Sequence, residues 1–249
     1  MRALITGASN GIGLEFAKEL SKLGYDLILV ARSKEKLEKI KSELKTDVII
    51  YPMDLSMEEN VYFLYEKTKG TVNLLINNAG FGLFGEFDRT SLDEELNMID
   101  LNVKAYHILT KLYLSDMIKK NDGRILNVAS LAAFQPGPLM STYYATKSYV
   151  YNLSMAIYEE LRRKNSNVKI HVLCPGPVNT GFNDRAKIKF GVKACECSFV
   201  VKYAINKMFK NKLIIIPGCL MKITLFANRL FSKKFMLKMT YKIQKSKIK

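Results

Sequence analysis

Histidine, clustered cysteine and, beyond Glu196, acidic side chains are scarce in this chain of 249 residues. His107 and His171 are the only histidines, and of Cys174, Cys195, Cys197 and Cys219 only Cys195 and Cys197 lie close together. A structural zinc site needs four such ligands in paired spacing, so no metal site is expected. Four scattered thiols fit a reduced protein. No apolar run reaches the ~20 residues of a membrane-spanning helix. A strand-like run begins at Arg2, which leaves no room for a signal peptide before it, so the expected location is the cytoplasm.

The missing acids redistribute the charge. The formal net charge is +16. Residues 1–196 carry 26 Lys/Arg against 23 Asp/Glu, whereas residues 197–249 carry 13 Lys/Arg and no acid. The body is nearly neutral, which argues against a nucleic-acid-binding body. The positive charge belongs to the C-terminal segment, where it suits an anionic lipid surface or another acidic partner.

What is present is a regular alternation. Short apolar runs at 3–6, 26–31, 47–51, 73–76, 123–129, 168–174 and 212–216 read as strands. Helical patterns at 12–23, 34–44, 58–69, 92–118, 142–164 and 200–209 separate them. Apolar strands bracketed by turns and alternating with helices indicate a parallel sheet covered on both faces. The expected fold is α/β: a Rossmann-type, doubly wound, seven-stranded parallel sheet with helices on both faces and a basic C-terminal helical extension. Residues 1–218 are expected to form one domain and 219–249 the extension. The segment 182–198 has no clear period and reads as a mobile stretch over a pocket.

A glycine-rich turn, Thr6-Gly7-Ala8-Ser9-Asn10-Gly11-Ile12-Gly13, joins the first strand to the first helix. Glycines let the backbone approach a pyrophosphate, and a helix N-terminus presents free N–H groups to it. Ser9 and Asn10 add side-chain donors. The second strand ends in Ala31-Arg32-Ser33-Lys34, without the acid that would hold a ribose 2′-hydroxyl. Arg32 can pair with a 2′-phosphate through its planar fork, so NADP(H) is expected over NAD(H); the bland reading is a solvated strand-end charge. Asp54 after the third strand either faces an adenine edge or belongs to the next helix cap. Asn77-Asn78-Ala79-Gly80 ends the fourth strand, as a ligand-facing or merely polar turn.

Tyr143 and Lys147 lie four residues apart, and Ser130 thirteen residues before Tyr143. Residues i and i+4 share a helix face. An ammonium beside a phenol favours the phenolate and lowers a pKa that is normally about 10. Such a pair suits acid–base chemistry. An ordinary Tyr/Lys surface pair has the same spacing.

Taken together these motifs resemble the short-chain dehydrogenase/reductase family over residues 2–218. The likeness rests on Thr6-Gly7-x-x-x-Gly11-x-Gly13, Asp54, Asn77-Asn78-Ala79-Gly80, Asn102, Ser130, Tyr143-x-x-x-Lys147 and Pro175-Gly176-x-Val178-x-Thr180, in family order. It implies an NADP-dependent oxidoreductase that reduces a carbonyl to an alcohol, or the reverse, with Tyr143 as acid or base. By the same likeness Ser130 holds the carbonyl oxygen and Lys147 tunes Tyr143 and binds the nicotinamide ribose. Asn102 holds a water of a proton relay. Gly7, Ser9, Gly11 and Ile12 line the phosphates, Asp54 and Leu55 face adenine, and Asn78 and Ala79 face its ribose. Gly176, Val178 and Thr180 fix the nicotinamide. Many relatives form dimers or tetramers through the helices carrying Asn102 and Tyr143. The rival reading is a non-enzymatic NAD(P)-sensing regulator on the same fold, docking through the basic tail.

The substrate is expected to be a small carbonyl or alcohol, with acyl or lipid-like carbonyls one class. Phe81, Leu83, Phe84, Phe87, Leu131, Phe134, Pro136, Leu139, Met140 and Phe182 are candidate pocket residues. Tyr144 is expected to pack rather than react. In the tail, Leu220, Ile223, Ala227, Leu230 and Phe231 follow helical spacing, with Phe235, Met239 and Ile243 continuing it. This basic amphipathic pattern suits packing on its own domain, peripheral contact with a membrane, a subunit interface or a cap on the pocket.

Overall fold

The computed structural model describes residues 1–180, 194–218, 221 and 231–246. Strand β1 (Arg2–Thr6) leads into helix α1 (Gly11–Lys22), followed by β2 (Asp26–Ala31), α2 (Lys34–Glu43), β3 (Val48–Pro52), α3 (Glu58–Thr68) and β4 (Leu74–Asn77). The second half runs through α4 (Leu92–Ile99), a π-helical turn (Asp100–Ala105), α5 (Tyr106–Lys120) and β5 (Arg124–Val128). A 3-10 turn (Leu131–Phe134), α6 (Ser141–Arg163), β6 (Lys169–Leu173), α7 (Cys197–Phe209), β7 (Ile214–Ile215) and α8 (Lys233–Lys245) complete it.

The seven strands form one parallel sheet in the order β3-β2-β1-β4-β5-β6-β7. The chain winds outward from β1 to β3, then starts again at β4 on the other side. A crevice therefore opens beyond the carboxyl ends of β1 and β4, where such sheets bind ligands.

Alternation within the strands sorts the core into two layers. Ala3, Ile5, Leu27, Leu29 and Ile76 face one side, where Phe16 and Leu20 of α1 and Val201 and Met208 of α7 cover them. Leu4, Ile28, Val30, Leu75 and Ile125 face the other, under Leu64 of α3, Leu109 and Tyr113 of α5 and Leu161 of α6. A period of two places consecutive residues on opposite faces. Each full burial of a Leu, Ile or Phe contributes about 1.5–3 kcal/mol.

Local chemistry sets several helix ends. Ser33 caps α2 by accepting from Lys36 N, and Ser91 caps α4 above the acidic first turn Asp93-Glu94-Glu95. Acids there complement the helix dipole. The single helix expected over 92–118 is three pieces, because the π-helical turn interrupts it at Asn102. Strand β7 is shorter than the apolar run 212–216 suggests.

The tail also departs from its periodicity. Met236, Thr240 and Gln244 form the buried face of α8, while Phe235 and Ile243 are exposed. The face is rotated by one residue because it meets polar partners, Gln135 and Tyr144, rather than an apolar groove. The expected helical spacing from Leu220 to Leu230 and the pocket residue Phe182 lie outside the described residues. Most of the stretch expected to be mobile does so too. Among the described residues no helix is long and apolar enough to cross a membrane.

Candidate active site

The crevice holds a cavity of about 400 Å³. Its wall at the glycine turn is main chain. Gly7 and Gly11 adopt left-handed φ values of 67° and 54°. A Cβ on Gly7 would sit 2.9 Å from Ala79 Cα, and one on Gly13 would sit 2.2 Å from Gly7 O. Thr6 laces the turn to β4: its hydroxyl accepts from Asn78 N (2.9 Å) and Ala79 N (3.0 Å). Asn78 Nδ2 donates back to Thr6 O (2.9 Å). Asn78 and Ala79 are thereby held against the glycine turn.

At the β2 edge, Arg32 reaches Asp54 (3.8 Å), with the Arg32 side chain 62% exposed. Asp54 Oδ1 accepts from Ser56 N and Ser56 Oγ, each at 2.9 Å. These bonds anchor the carboxylate, and Arg32 meets its other oxygen in a long, exposed pair at the rim. Exposed pairs of this kind contribute little stability.

The reacting end gathers three elements. Ser130 follows β5, and its Oγ accepts from Ala132 N (3.1 Å). Tyr143 and Lys147 rise from the first turns of α6, both buried. Ser130 hydrogen-bonds the Tyr143 hydroxyl. Lys147 Nζ donates to Val128 O (2.9 Å) and lies 6.0 Å from the centre of the Tyr143 ring. Burial pushes the Tyr143 phenol well above its usual range, against the opposing pull of Ser130. Burial also lowers Lys147 from 10.5 to about 8. The expected lowering of the phenol by the lysine is therefore not what this arrangement does. Desolvation acts on both groups, and Lys147 donates a hydrogen bond to the Val128 carbonyl.

Asn102 stands behind the wall rather than on it. It is fully buried on the π-helical turn. Its Oδ1 accepts from Phe81 N (3.1 Å), and its Nδ2 donates to Phe81 O (2.8 Å) and Thr146 Oγ1 (3.2 Å). Both amide protons are thus committed to holding the β4 exit against α6. π-turns of this kind recur at functional sites.

The remaining expected residues lie on one wall or another. Gly7, Ser9, Asn10, Gly11, Ile12, Arg32, Asp54, Leu55, Asn78 and Ala79 line the cavity with Ser130, Tyr143, Lys147, Gly176, Val178 and Thr180. Thr180 also packs over Gly11, where a Cβ would lie 2.9 Å from Thr180 Cγ2. Of the candidate pocket residues, Phe81, Leu131 and Met140 are on the wall. Leu83 and Phe84 pack behind them, Phe134 meets Tyr151 at a tilt of 58°, and Phe87 is exposed.

Sequence reasoning missed several wall residues, among them Leu101, Ala132, Pro177, Tyr144 and Gln244. Tyr144, expected only to pack, lines the cavity and accepts a hydrogen bond from Gln244 (2.6 Å). Gln244 comes from α8, a hundred positions away. No local spacing announces that contact.

A cleft of crowded glycines at strand ends, continuous with a buried Ser–Tyr–Lys cluster, defines a nucleotide-binding oxidoreductase on a doubly wound sheet. The family model described as short chain dehydrogenase matches residues 1–189, and the chain belongs to that family. An uncharacterized oxidoreductase of Staphylococcus epidermidis is 29% identical over 196 residues, covering 75% of this chain and 84% of that protein. The human very-long-chain 3-oxoacyl-CoA reductase is 33% identical over 171 residues, 65% of this chain and 55% of its own length, so the match spans about half of that relative. A short-chain dehydrogenase from Sphingobium yanoikuyae, solved in complex with NADPH, superposes with a TM-score of 0.83 at 28% identity, covering 92% of this chain and 93% of that one. The protein is an NAD(P)-dependent dehydrogenase/reductase acting on CH–OH or C=O groups.

Proposed function

We propose that this enzyme reduces a ketone or aldehyde to an alcohol with NADPH, or runs the reverse reaction, with Tyr143 as the proton donor or acceptor. The observation that carries the reading is the hydrogen bond between Ser130 and Tyr143, beside Lys147 and on the same cavity as the glycine turn. The cofactor, when bound, supplies or accepts the hydride. The chain's own residues do the rest.

The fit to a dinucleotide rests on Gly7, Gly11 and Gly13, where any Cβ would close the approach. Ser9, Asn10 and Ile12 complete the phosphate end, and Leu55 and Asp54 the adenine side. Gly176, Val178 and Thr180 serve the nicotinamide end. Arg32 supports NADPH over NADH, since its guanidinium stands exposed at the rim beside the β2 end, held by Asp54 only in a long pair at 3.8 Å.

At the reacting end, Tyr143 is buried and protonated at neutral pH, the state a general acid needs for carbonyl reduction. Ser130 hydrogen-bonds the same substrate oxygen and stabilises the charge that develops there. Lys147, lowered to about 8 by burial, stands 6.0 Å from the centre of the Tyr143 ring on the same cavity wall, where it would bind the nicotinamide ribose. Asn102 positions the Phe81 backbone and α6. Phe81, Leu131 and Met140 make the substrate end apolar, and the human relative's name is that of an acyl reductase. Both features support a lipid-like or acyl carbonyl. Leu92, Leu96 and Ile99 form an exposed apolar stripe on α4, which supports assembly into a homo-oligomer through the helices flanking Asn102.

The test is Tyr143→Phe, assayed as NADPH oxidation over a panel of ketones and aldehydes. Loss of a general acid lowers turnover by roughly 10²–10⁴-fold. Activity equal to the parent enzyme with cofactor affinity intact would remove Tyr143 from the mechanism.

A further inference from the structure

Helix α8 closes the substrate end of the cavity with polar atoms. Thr240 on its buried face accepts from Gln135 Nε2 (3.1 Å), and one turn on, Gln244 Nε2 donates to the Tyr144 hydroxyl oxygen (2.6 Å). Gln244 is 1% exposed and contributes to the cavity wall. Its second polar atom, the amide oxygen Oε1, is buried with no hydrogen-bond partner among the described residues. Buried polar atoms are seldom left this way, and an exception at a ligand cavity calls for a donor.

We propose that Gln244 determines substrate specificity by accepting a hydrogen bond from a hydroxyl that the substrate carries away from its carbonyl. The inference rests on the carbonyl-reductase reading above. Tyr144 receives the Gln244 N–H and keeps its own hydroxyl proton, which burial holds in place. The pair therefore offers one acceptor and one donor, the complement of an alcohol O–H. The neighbouring wall, Phe81, Leu131 and Met140, is apolar. The substrate class is an apolar-bodied ketone or aldehyde with a distal hydroxyl. Selection arises because an analogue lacking that hydroxyl leaves the amide oxygen unpaired, a penalty apolar contacts do not match.

The experiment compares matched substrates: ω-hydroxy-2-alkanones against 2-alkanones of equal length, and 4-hydroxycyclohexanone against cyclohexanone. The unchanged enzyme should favour at least one hydroxylated member over its partner by about tenfold in kcat/KM, the worth of one hydrogen bond. Gln244→Leu, similar in size but without polar atoms, should erase that preference, mostly through KM, and leave NADPH affinity unchanged. Thr240→Val removes the other anchor of α8 and is the control for docking. It should shift both members of a pair equally. Gln244→Glu restores the acceptor and should restore the preference. A Gln244→Leu enzyme that keeps the preference, or loses activity equally on both members as Thr240→Val does, overturns the inference while leaving the reductase reading standing. No NADPH oxidation by the unchanged enzyme with any of these carbonyls overturns both.

Discussion

At the phosphate end of the cleft the wall is main chain. Gly7, Gly11 and Gly13 bring backbone to within contact of Asn78, Ala79 and Thr180, and nothing larger fits. At the substrate end the wall is side chain. Phe81, Met140 and Tyr144 come from loops and α6, and Gln244 closes them off from α8. Backbone geometry tolerates almost no substitution, so the first end is committed to one ligand shape. Side chains can be exchanged without moving the sheet, so the second end is free to change its ligand. The same cavity thus joins an invariant half to an adjustable one.

Gly13→Ala should separate the two ends most sharply. The new Cβ would lie 2.2 Å from Gly7 O and 2.6 Å from Asn78 Nδ2, atoms pinned by the lacing of β1 to β4. Overpacking of this sort costs about 1–3 kcal/mol, a fall of several degrees in Tm for a chain of this size. Cofactor affinity should fall more steeply still, because the turn itself must shift. A calorimetric titration with NADPH and a thermal melt check both. If both were unchanged, the tightness of the turn would have no bearing on binding.

The two ends also differ in how far the amino-acid order discloses them. The glycine turn, Asn78-Ala79 and Tyr143-x-x-x-Lys147 are legible because their physics is local: a turn, a strand end, one turn of helix. The sheet is legible for the same reason, since its strands are continuous apolar runs. Gln244 is illegible because its partner, Tyr144, lies a hundred residues away and neither residue sits in a pattern. The buried face of α8 departs from its apolar spacing because the polar anchors Thr240 and Gln244 lie on it. The Lys147–Tyr143 spacing is visible in the sequence, but the direction of the phenol's pKa is not. That direction depends on how deeply the phenol is buried, against the opposing pull of the Ser130 hydrogen bond.

Lys147 allows a pH test of the reacting end. Burial lowers it from 10.5 to about 8. Below about pH 8 it is charged in both the folded and unfolded chains, and the cost of burying the charge is fully present. Between about 8 and 10.5 the unfolded chain keeps a proton that the folded chain has released, so folding stability rises with pH across that window. The rise amounts to about 3 kcal/mol in the cofactor-free protein. Lys147→Met should flatten it, being more stable than the parent at pH 7 and losing that advantage toward pH 10.5. Val128 O keeps the Tyr106 hydroxyl as a donor, so the variant does not orphan it. Parallel pH profiles for the two proteins in chemical denaturation would show that Lys147 is not held as a strained cation.

Arg32 gives the smallest effect on stability and bears on an adjustable position beside the glycine turn. Its side chain is exposed and its contact with Asp54 is long, at 3.8 Å, so replacing it should barely change Tm. Arg32→Asp places a second carboxylate beside Asp54 at the rim. A 2′-phosphate would meet two negative charges in place of one cation, whereas a 2′-hydroxyl would gain an acceptor. Loss of charge-assisted hydrogen bonds worth about 1.5–3 kcal/mol predicts that NADPH binding weakens by roughly ten- to a hundredfold, with NADH little changed or improved. Titrating both cofactors against the variant by fluorescence separates the outcomes. Equal losses for the two would mean that Arg32 supports the adenosine end as a whole and does not read the phosphate. In that case the rim would be as indifferent to its ligand's charge as the glycine turn is strict about its shape.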